Sequence, residues 1–203
     1  KVKLPDEELK GRIIGKEGRN IRTFEELTGV DLDLDSSPGD IIVSCFDSVR
    51  RAIATTALER LVADGRIQPA RIEEIVDQTT KEMENIMYKA GDSMCHKLGL
   101  YNIPKELIQT LGRFKYRFSY GQNMLEHTME TARIGMYIAG EIGANVETVK
   151  MGCLFHDIGK VLNDQDGSHV ELGVDLLRKH KISEEVIKCV AEHHDDKQTT
   201  IES

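Results

Sequence analysis

The adjacent pair His156-Asp157, followed by Gly159 and Lys160, joins two side chains that can reach one metal ion. An imidazole supplies a nitrogen, and a carboxylate can bridge two ions. Val149, Cys153 and His156 share one helical stripe, which predicts that His156 faces inward. A buried imidazole needs a partner. His127 reads the same way, with Thr131, Ile134 and Ile138 following at helical spacing. His193 and His194 follow Val186 and Val190 on the apolar face of another helix, and His169 sits near an expected helix start. Any one of these histidines could be an ordinary core or surface residue. Five of them with an aspartate, mostly on apolar stripes, point to metal binding instead. His96 and His180 lack such a setting.

A second segment could do chemistry of another kind. Gly15-Lys16-Glu17-Gly18 sits between two helical stretches. Without Cβ atoms the glycines let another backbone come close, and the following helix offers free N–H groups and a positive dipole end. Lys10, Arg12, Lys16, Arg19 and Arg22 face only Glu17 within residues 10–22, a local charge of +4 in a chain of net charge −8. Ile13, Ile14 and Ile21 would supply an apolar groove. A bare pair of glycines also fits a simple tight turn between helices. The basic flank is what favours a phosphodiester clamp, because it confines electrostatic contact to one face.

Such residues need a scaffold, and 203 residues suffice for one large domain or two small ones. With 39% hydrophobic and 31% charged residues, wholesale disorder is excluded. The net charge argues against coating nucleic acid by bulk positive charge. Apolar runs fall far short of the roughly 18 residues of a membrane span. Cys45, Cys95, Cys153 and Cys189 form no CxxC pair, which suits reduced, mostly buried thiols. The sequence begins at Lys1 and reads as a fragment.

The fold class expected is α+β in three parts. Residues 1–68 read β-α-α-β-β-α: Val30, Leu32 and Leu34 alternate with aspartates, residues 36–40 form a turn, and Asp47 caps a helix that stops at Gly65. Residues 69–104 form a helical connector. Its long amphipathic helix opens at Pro69 and buries Ile72, Ile75, Val76, Thr79, Met83, Ile86, Met87 and Ala90. Residues 105–203 read as all-helical, with stops at Gly143 and Gly159 and a start at Ser183.

The order of elements and the GXXG loop resemble a type I KH domain, whose loop clamps single-stranded nucleic acid. That implies RNA binding by Gly15, Lys16, Glu17 and Gly18, flanked by Arg12, Arg19, Arg22, Ile14 and Ile21. The histidines resemble the HD superfamily of metal-dependent phosphohydrolases. On that resemblance His127 is the first ligand and His156-Asp157 the doublet. His169, His193 and His194 match the added ligands of two-metal members, and Lys160 can stabilise phosphate charge. The HD pattern's last aspartate is absent, so a C-terminally incomplete metal site is expected.

The strings GRIIGKEGRNIRTFE, DGRIQPARIEEIV, SYGQN and HDIGK together resemble the bacterial ribonuclease Y family. This implies a metal-dependent endoribonuclease that hydrolyses phosphodiester bonds in single-stranded RNA and initiates mRNA decay. His156, Asp157 and Lys160 would be catalytic, with one or two divalent ions, Mg²⁺ or Mn²⁺, activating water. The resemblance further implies a homodimer or higher homo-oligomer, RNA-decay proteins as partners, and the cytoplasmic face of the cell membrane as location. This fragment itself would make no membrane contact. Two other readings stay open: an RNA-binding module with an inactive HD scaffold, and an HD phosphodiesterase acting on nucleotides or cyclic dinucleotides. Residues 113–120 alternate basic and aromatic side chains, which suits either base stacking or anchoring of the domain junction.

Overall fold

A computed structural model describes residues 1–36 and 39–203. The turn expected over residues 36–40 includes residues 37 and 38, which lie outside the described residues. The chain divides into two compact units, Lys1–Ile86 and Met87–Ser203. The architecture is α+β, as expected.

In the first unit β1 (Val2–Lys3), α1 (Glu7–Ile14), α2 (Arg19–Thr28), β2 (Asp31–Asp33), β3 (Asp40–Ser44) and α3 (Ser48–Asp64) follow in the expected order. The antiparallel sheet runs β1-β3-β2, with Val2 opposite Ile41 and Leu32 opposite Val43. Alternation decides its faces: Val30, Leu32, Leu34, Ile41 and Val43 are buried, while Asp31 and Asp35 are exposed. Helix ends follow local chemistry. Asp47 accepts hydrogen bonds from the Val49 and Arg50 N–H groups, and Gly29 closes α2 in the left-handed conformation. Helix α4 (Pro69–Lys97) supplies Ile72, Ile75 and Val76 to this core, together with Phe24, Leu58 and Leu61. Ile86, placed on the buried stripe by its spacing, is exposed.

The second unit packs α5 (Lys105–Gly112), α6 (Met124–Ile142), α7 (Val146–Phe155), α8 (His169–Lys179) and α9 (Glu184–Glu192) around Leu107, Phe114, Leu154, Phe155 and Leu177. To the all-helical expectation the structure adds a small hairpin, β4 (Phe118–Ser119) and β5 (Gln122–Asn123). Gly143 ends α6 as expected. Gly159 does not end a helix: it lies inside a 3-10 turn, Ile158–Val161, and α7 has stopped at Phe155. On α6, Ile134 and Ile138 are exposed rather than inward. The buried face is Met124, Thr128, Met129, Ala132 and Ala139, so His127 stands at its edge. Among the described residues, no helix is long and apolar enough to cross a membrane.

Candidate functional site

Helix ends bring the histidines together. Asn123 caps α6 by accepting from the Leu125 N–H, which puts His127 in the helix's first turns. His156 and Asp157 follow the last residue of α7. A capping box, Ser168 with Glu171, starts α8 so that His169 is its first residue. His193 and His194 come just after α9, not within it. The sequence pattern placed them on the helix because Val186 and Val190 point the same way.

Gly159 explains how closely these ends approach. A Cβ there would lie 1.8 Å from the backbone oxygen of His169. Only glycine lets the 3-10 turn carrying Lys160 rest on the start of α8. The setting of Gly159 in the sequence predicts a helix stop; close approach is another reason for glycine, and it depends on a residue distant in sequence.

Asp157 is the buried centre. Its Oδ2 lies 3.2 Å from His156 Nε2, 3.7 Å from His127 Nε2 and 2.8 Å from Lys160 Nζ. Its Oδ1 lies 3.6 Å from His169 Nε2 and 3.7 Å from His193 Nε2. His127 and His156 approach within 3.2 Å of each other at Nε2, and so do His169 and His194. All six expected ligands and Lys160 thus converge.

The hydrogen positions matter here. His156 Nδ1 is 2.7 Å from the Cys153 carbonyl oxygen, and His193 Nδ1 is 2.7 Å from that of Val190. A carbonyl only accepts, so both Nδ1 atoms carry the hydrogen. The other nitrogen of each ring, Nε2, faces the carboxylate. Burial pushes the His127 and His169 imidazoles below their usual range, with His156 adding to this at His127. Burial would raise the Asp157 carboxyl, but His156, His193 and Lys160 together hold it far below the usual carboxylate range. A buried, ionised carboxylate ringed by imidazole nitrogens is a donor set that suits a divalent cation. Asp157 Oδ1 and His193 Nε2 are buried without a hydrogen-bond partner, which fits the same need. The donors fall into two groups sharing Asp157: His169, His193 and His194 on one side, His127 and His156 on the other. Within each group, one atom per residue lies within 4.8 Å of every other. The residues present therefore fit one or two divalent ions, and a carbonyl behind His156 and His193 fixes each ring's orientation.

In the first unit Gly15 and Gly18 adopt positive φ, and Glu17 joins them at φ 55°. Asn20, which sequence reasoning missed, locks this loop. Buried beneath it, its Nδ2 donates to the carbonyls of Arg12 and Ile67, and a Cβ on Gly15 would lie 2.7 Å from its side chain. Arg12, Lys16, Glu17, Arg19 and Arg22 are exposed along the loop. Arg12 pairs with Glu8, Lys10 pairs with Asp35, and Arg22 donates to the Glu17 carbonyl. Lys16 and Arg19 make no ion pair among the described residues. Ile14 is partly exposed and Ile21 half-buried, whereas Ile13 belongs to the core and offers no groove.

Residues 1–56 match the KH domain family and residues 124–202 the HD domain family. A KH domain thus precedes an HD domain, and an HD domain implies divalent metal binding. The whole chain is similar to ribonuclease Y of Symbiobacterium thermophilum, at 51% identity over 96% of this chain and 38% of the relative. Ribonuclease Y of Treponema denticola is 51% identical over 100% of this chain and 40% of that relative. The same-named protein of Alkaliphilus metalliredigens is 50% identical over 96% and 41%. A KH domain, an HD domain and similarity to ribonuclease Y thus run along nearly the whole of this chain, which spans about 40% of the length of these curated relatives. No solved structure gives a significant match.

Gly159→Ala is expected to push α8 off the 3-10 turn and displace His169. Overpacking of this kind costs about 1–3 kcal/mol, and disturbing a ligand's support costs about 10–100-fold in metal affinity. Thermal unfolding and Mn²⁺ titration would read both losses together. An unchanged Mn²⁺ affinity would show that the contact does not position His169.

Proposed function

We propose that this chain binds single-stranded RNA through the glycine loop and hydrolyses its phosphodiester bonds at the Asp157 centre. The observation that carries the reading is the pair of ligand groups sharing one buried carboxylate, on a chain that also holds a KH domain. His127, His156 and Asp157 would hold one divalent ion, and Asp157, His169, His193 and His194 a second. When bound, such ions supply Lewis acidity that polarises water and offsets phosphate charge. Lys160 stands in the same cleft as His127 and Asp157 and is positioned to meet a non-bridging phosphate oxygen. Nitrogen dominates the donor set. This favours Mn²⁺ over Mg²⁺, which prefers oxygen and keeps its water.

The glycine loop supplies binding rather than chemistry. Lys16 and Arg19 are the cations available for phosphate, because Arg12 and Lys10 are already paired. Holding RNA by one domain raises its effective concentration at the other. The family resemblance extends this reading to initiation of mRNA decay, homo-oligomerisation, RNA-decay partners and the cytoplasmic face of the bacterial membrane.

The competing HD reading, hydrolysis of a nucleotide or cyclic dinucleotide, has the KH domain on the same chain against it, because a nucleic-acid-binding domain argues for a polymer substrate.

The direct test is cleavage of a labelled single-stranded RNA with Mn²⁺, with Mg²⁺ and with chelator, beside His156→Ala. Cleavage is expected only with divalent metal, and to fall by at least about a hundredfold in the variant, since losing a ligand exceeds losing its support. Cleavage equal in chelator, or retained by His156→Ala, would overturn the metal mechanism. RNA binding without cleavage under every condition would favour the binding-module reading.

The loop is tested separately by Lys16→Glu with Arg19→Glu. Two phosphate contacts each contribute about 0.7 to the logarithmic salt slope for single strands. The slope is therefore expected to shrink by about 1.4, with weaker binding to all sequences. An unchanged slope would place the RNA on another surface.

A further inference from the structure

The hairpin at the mouth of the Asp157 cleft ends in a turn whose first side chain packs against nothing among the described residues. β4 and β5 are two residues each, joined by Tyr120 and Gly121. Both turn residues have positive φ, 50° and 82°, which makes this a type I′ hairpin. The first turn position of such a hairpin strongly prefers Asn, because a bulky L-residue strains there. Here it holds a tyrosine. That tyrosine gains nothing from packing: its side chain is fully exposed and makes no hydrogen bond, ion pair or ring contact among the described residues. Phe118, two residues earlier, is 65% exposed.

The alternating segment therefore divides. Phe114 is wholly buried and anchors the second unit's core, whereas Phe118 and Tyr120 face solvent. A strained backbone that displays an aromatic ring to water is a local cost whose return must lie outside the chain.

The hairpin's location names that return. Ser119, Tyr120 and Gln122 line the same cleft as His127, Asp157 and Lys160. The hairpin is also held in place. Gln122 Nε2 donates to Glu130 Oε2 at 2.7 Å, Asn123 Nδ2 donates to the Lys115 carbonyl at 3.0 Å, and the Met124 N–H donates to the Arg117 carbonyl at 2.9 Å. The ring is thus presented from a tethered turn.

We propose that Tyr120 is a base-stacking platform that holds the nucleotide next to the phosphate bound in the Asp157 cleft. This deepens the phosphodiesterase reading above and rests on it. The cleft admits a phosphate and leaves the attached nucleoside outside, where Tyr120 stands. Stacking uses the π-face that every base possesses, so it tolerates any sequence. It also requires a base freed from pairing. The HD unit would then select unpaired nucleotides by itself, in addition to any selection by the glycine loop. Tyr120 is a substrate-positioning residue, not one that touches the reacting atoms.

The test uses single-stranded RNA carrying 5-iodouridine, which cross-links to an aromatic ring stacked upon it. The proteins are the chain itself, Tyr120→Phe and Tyr120→Asn. Asparagine is the residue this turn prefers, so Tyr120→Asn keeps the hairpin and removes only the ring. The expected cross-link maps to Tyr120, persists in Tyr120→Phe and falls about tenfold or more in Tyr120→Asn, with equal thermal stability. In the same samples, metal-dependent cleavage is compared between RNA with a base and RNA with an abasic site beside the cut phosphate. The natural base is expected to lower KM about tenfold for the chain itself, equivalent to about 1.4 kcal/mol, and to give no advantage to Tyr120→Asn. Cross-links confined to other residues, or an abasic penalty equal in all three proteins, would overturn the platform. Failure of all cleavage with cross-linking to Tyr120 intact would overturn the phosphodiesterase reading and leave the platform standing.

Discussion

A buried, ionised carboxylate encircled by imidazole nitrogens is the constraint on which the second unit depends. Asp157 has one oxygen turned to His127 and His156 and the other to His169 and His193. The carbonyls of Cys153 and Val190 take the Nδ1 hydrogens of His156 and His193, which aims each Nε2 at the carboxylate. Burying a charge without compensation costs several kcal/mol. Lys160 compensates at one oxygen only, and Oδ1 stays without a hydrogen bond. Such an arrangement costs stability on its own terms and becomes favourable once cations are bound.

The surrounding fold can be understood as the means of assembling this arrangement. Four helix termini must meet, because the ligands sit at or beside the ends of α6, α7, α8 and α9. Each end is fixed by a local device: the Asn123 cap, the Ser168 capping box, and the 3-10 turn that lets Gly159 touch the start of α8. The first unit solves a smaller version of the same problem. Its glycine loop holds three residues at positive φ, and the buried amide of Asn20 ties that loop to Arg12 and Ile67. In both units a buried polar side chain sets the shape of a surface meant for something else.

Much of this was legible in the sequence, for identifiable reasons. Alternation of Val30, Leu32 and Leu34 with aspartates gave the strand, and Asp47, Gly29 and Gly143 gave helix ends, because these signals are local. The ligand residues were legible because histidines beside an aspartate are rare enough to count. What failed was the direction of stripes. Ile134 and Ile138 continue the spacing from His127 but face solvent, since a helix with apolar residues on several sides does not say which side is buried. Ile13, whose spacing predicts a groove, lies in the core for the same reason. Gly159, Asn20 and the Tyr120 turn were invisible because their meaning lies in partners distant along the chain or in a φ angle. Tyr-Gly is not a turn signal; only the backbone reveals it as one.

The central claim is that Asp157 is shared between two cation sites, and anomalous diffraction from crystals grown with Mn²⁺ tests it most directly. The account predicts two anomalous peaks, one between Asp157 and the His127–His156 pair, the other between Asp157 and the imidazoles of His169, His193 and His194. Crystals at saturating Mn²⁺ with no peak beside Asp157 would contradict it, and so would ions bound only by surface carboxylates elsewhere.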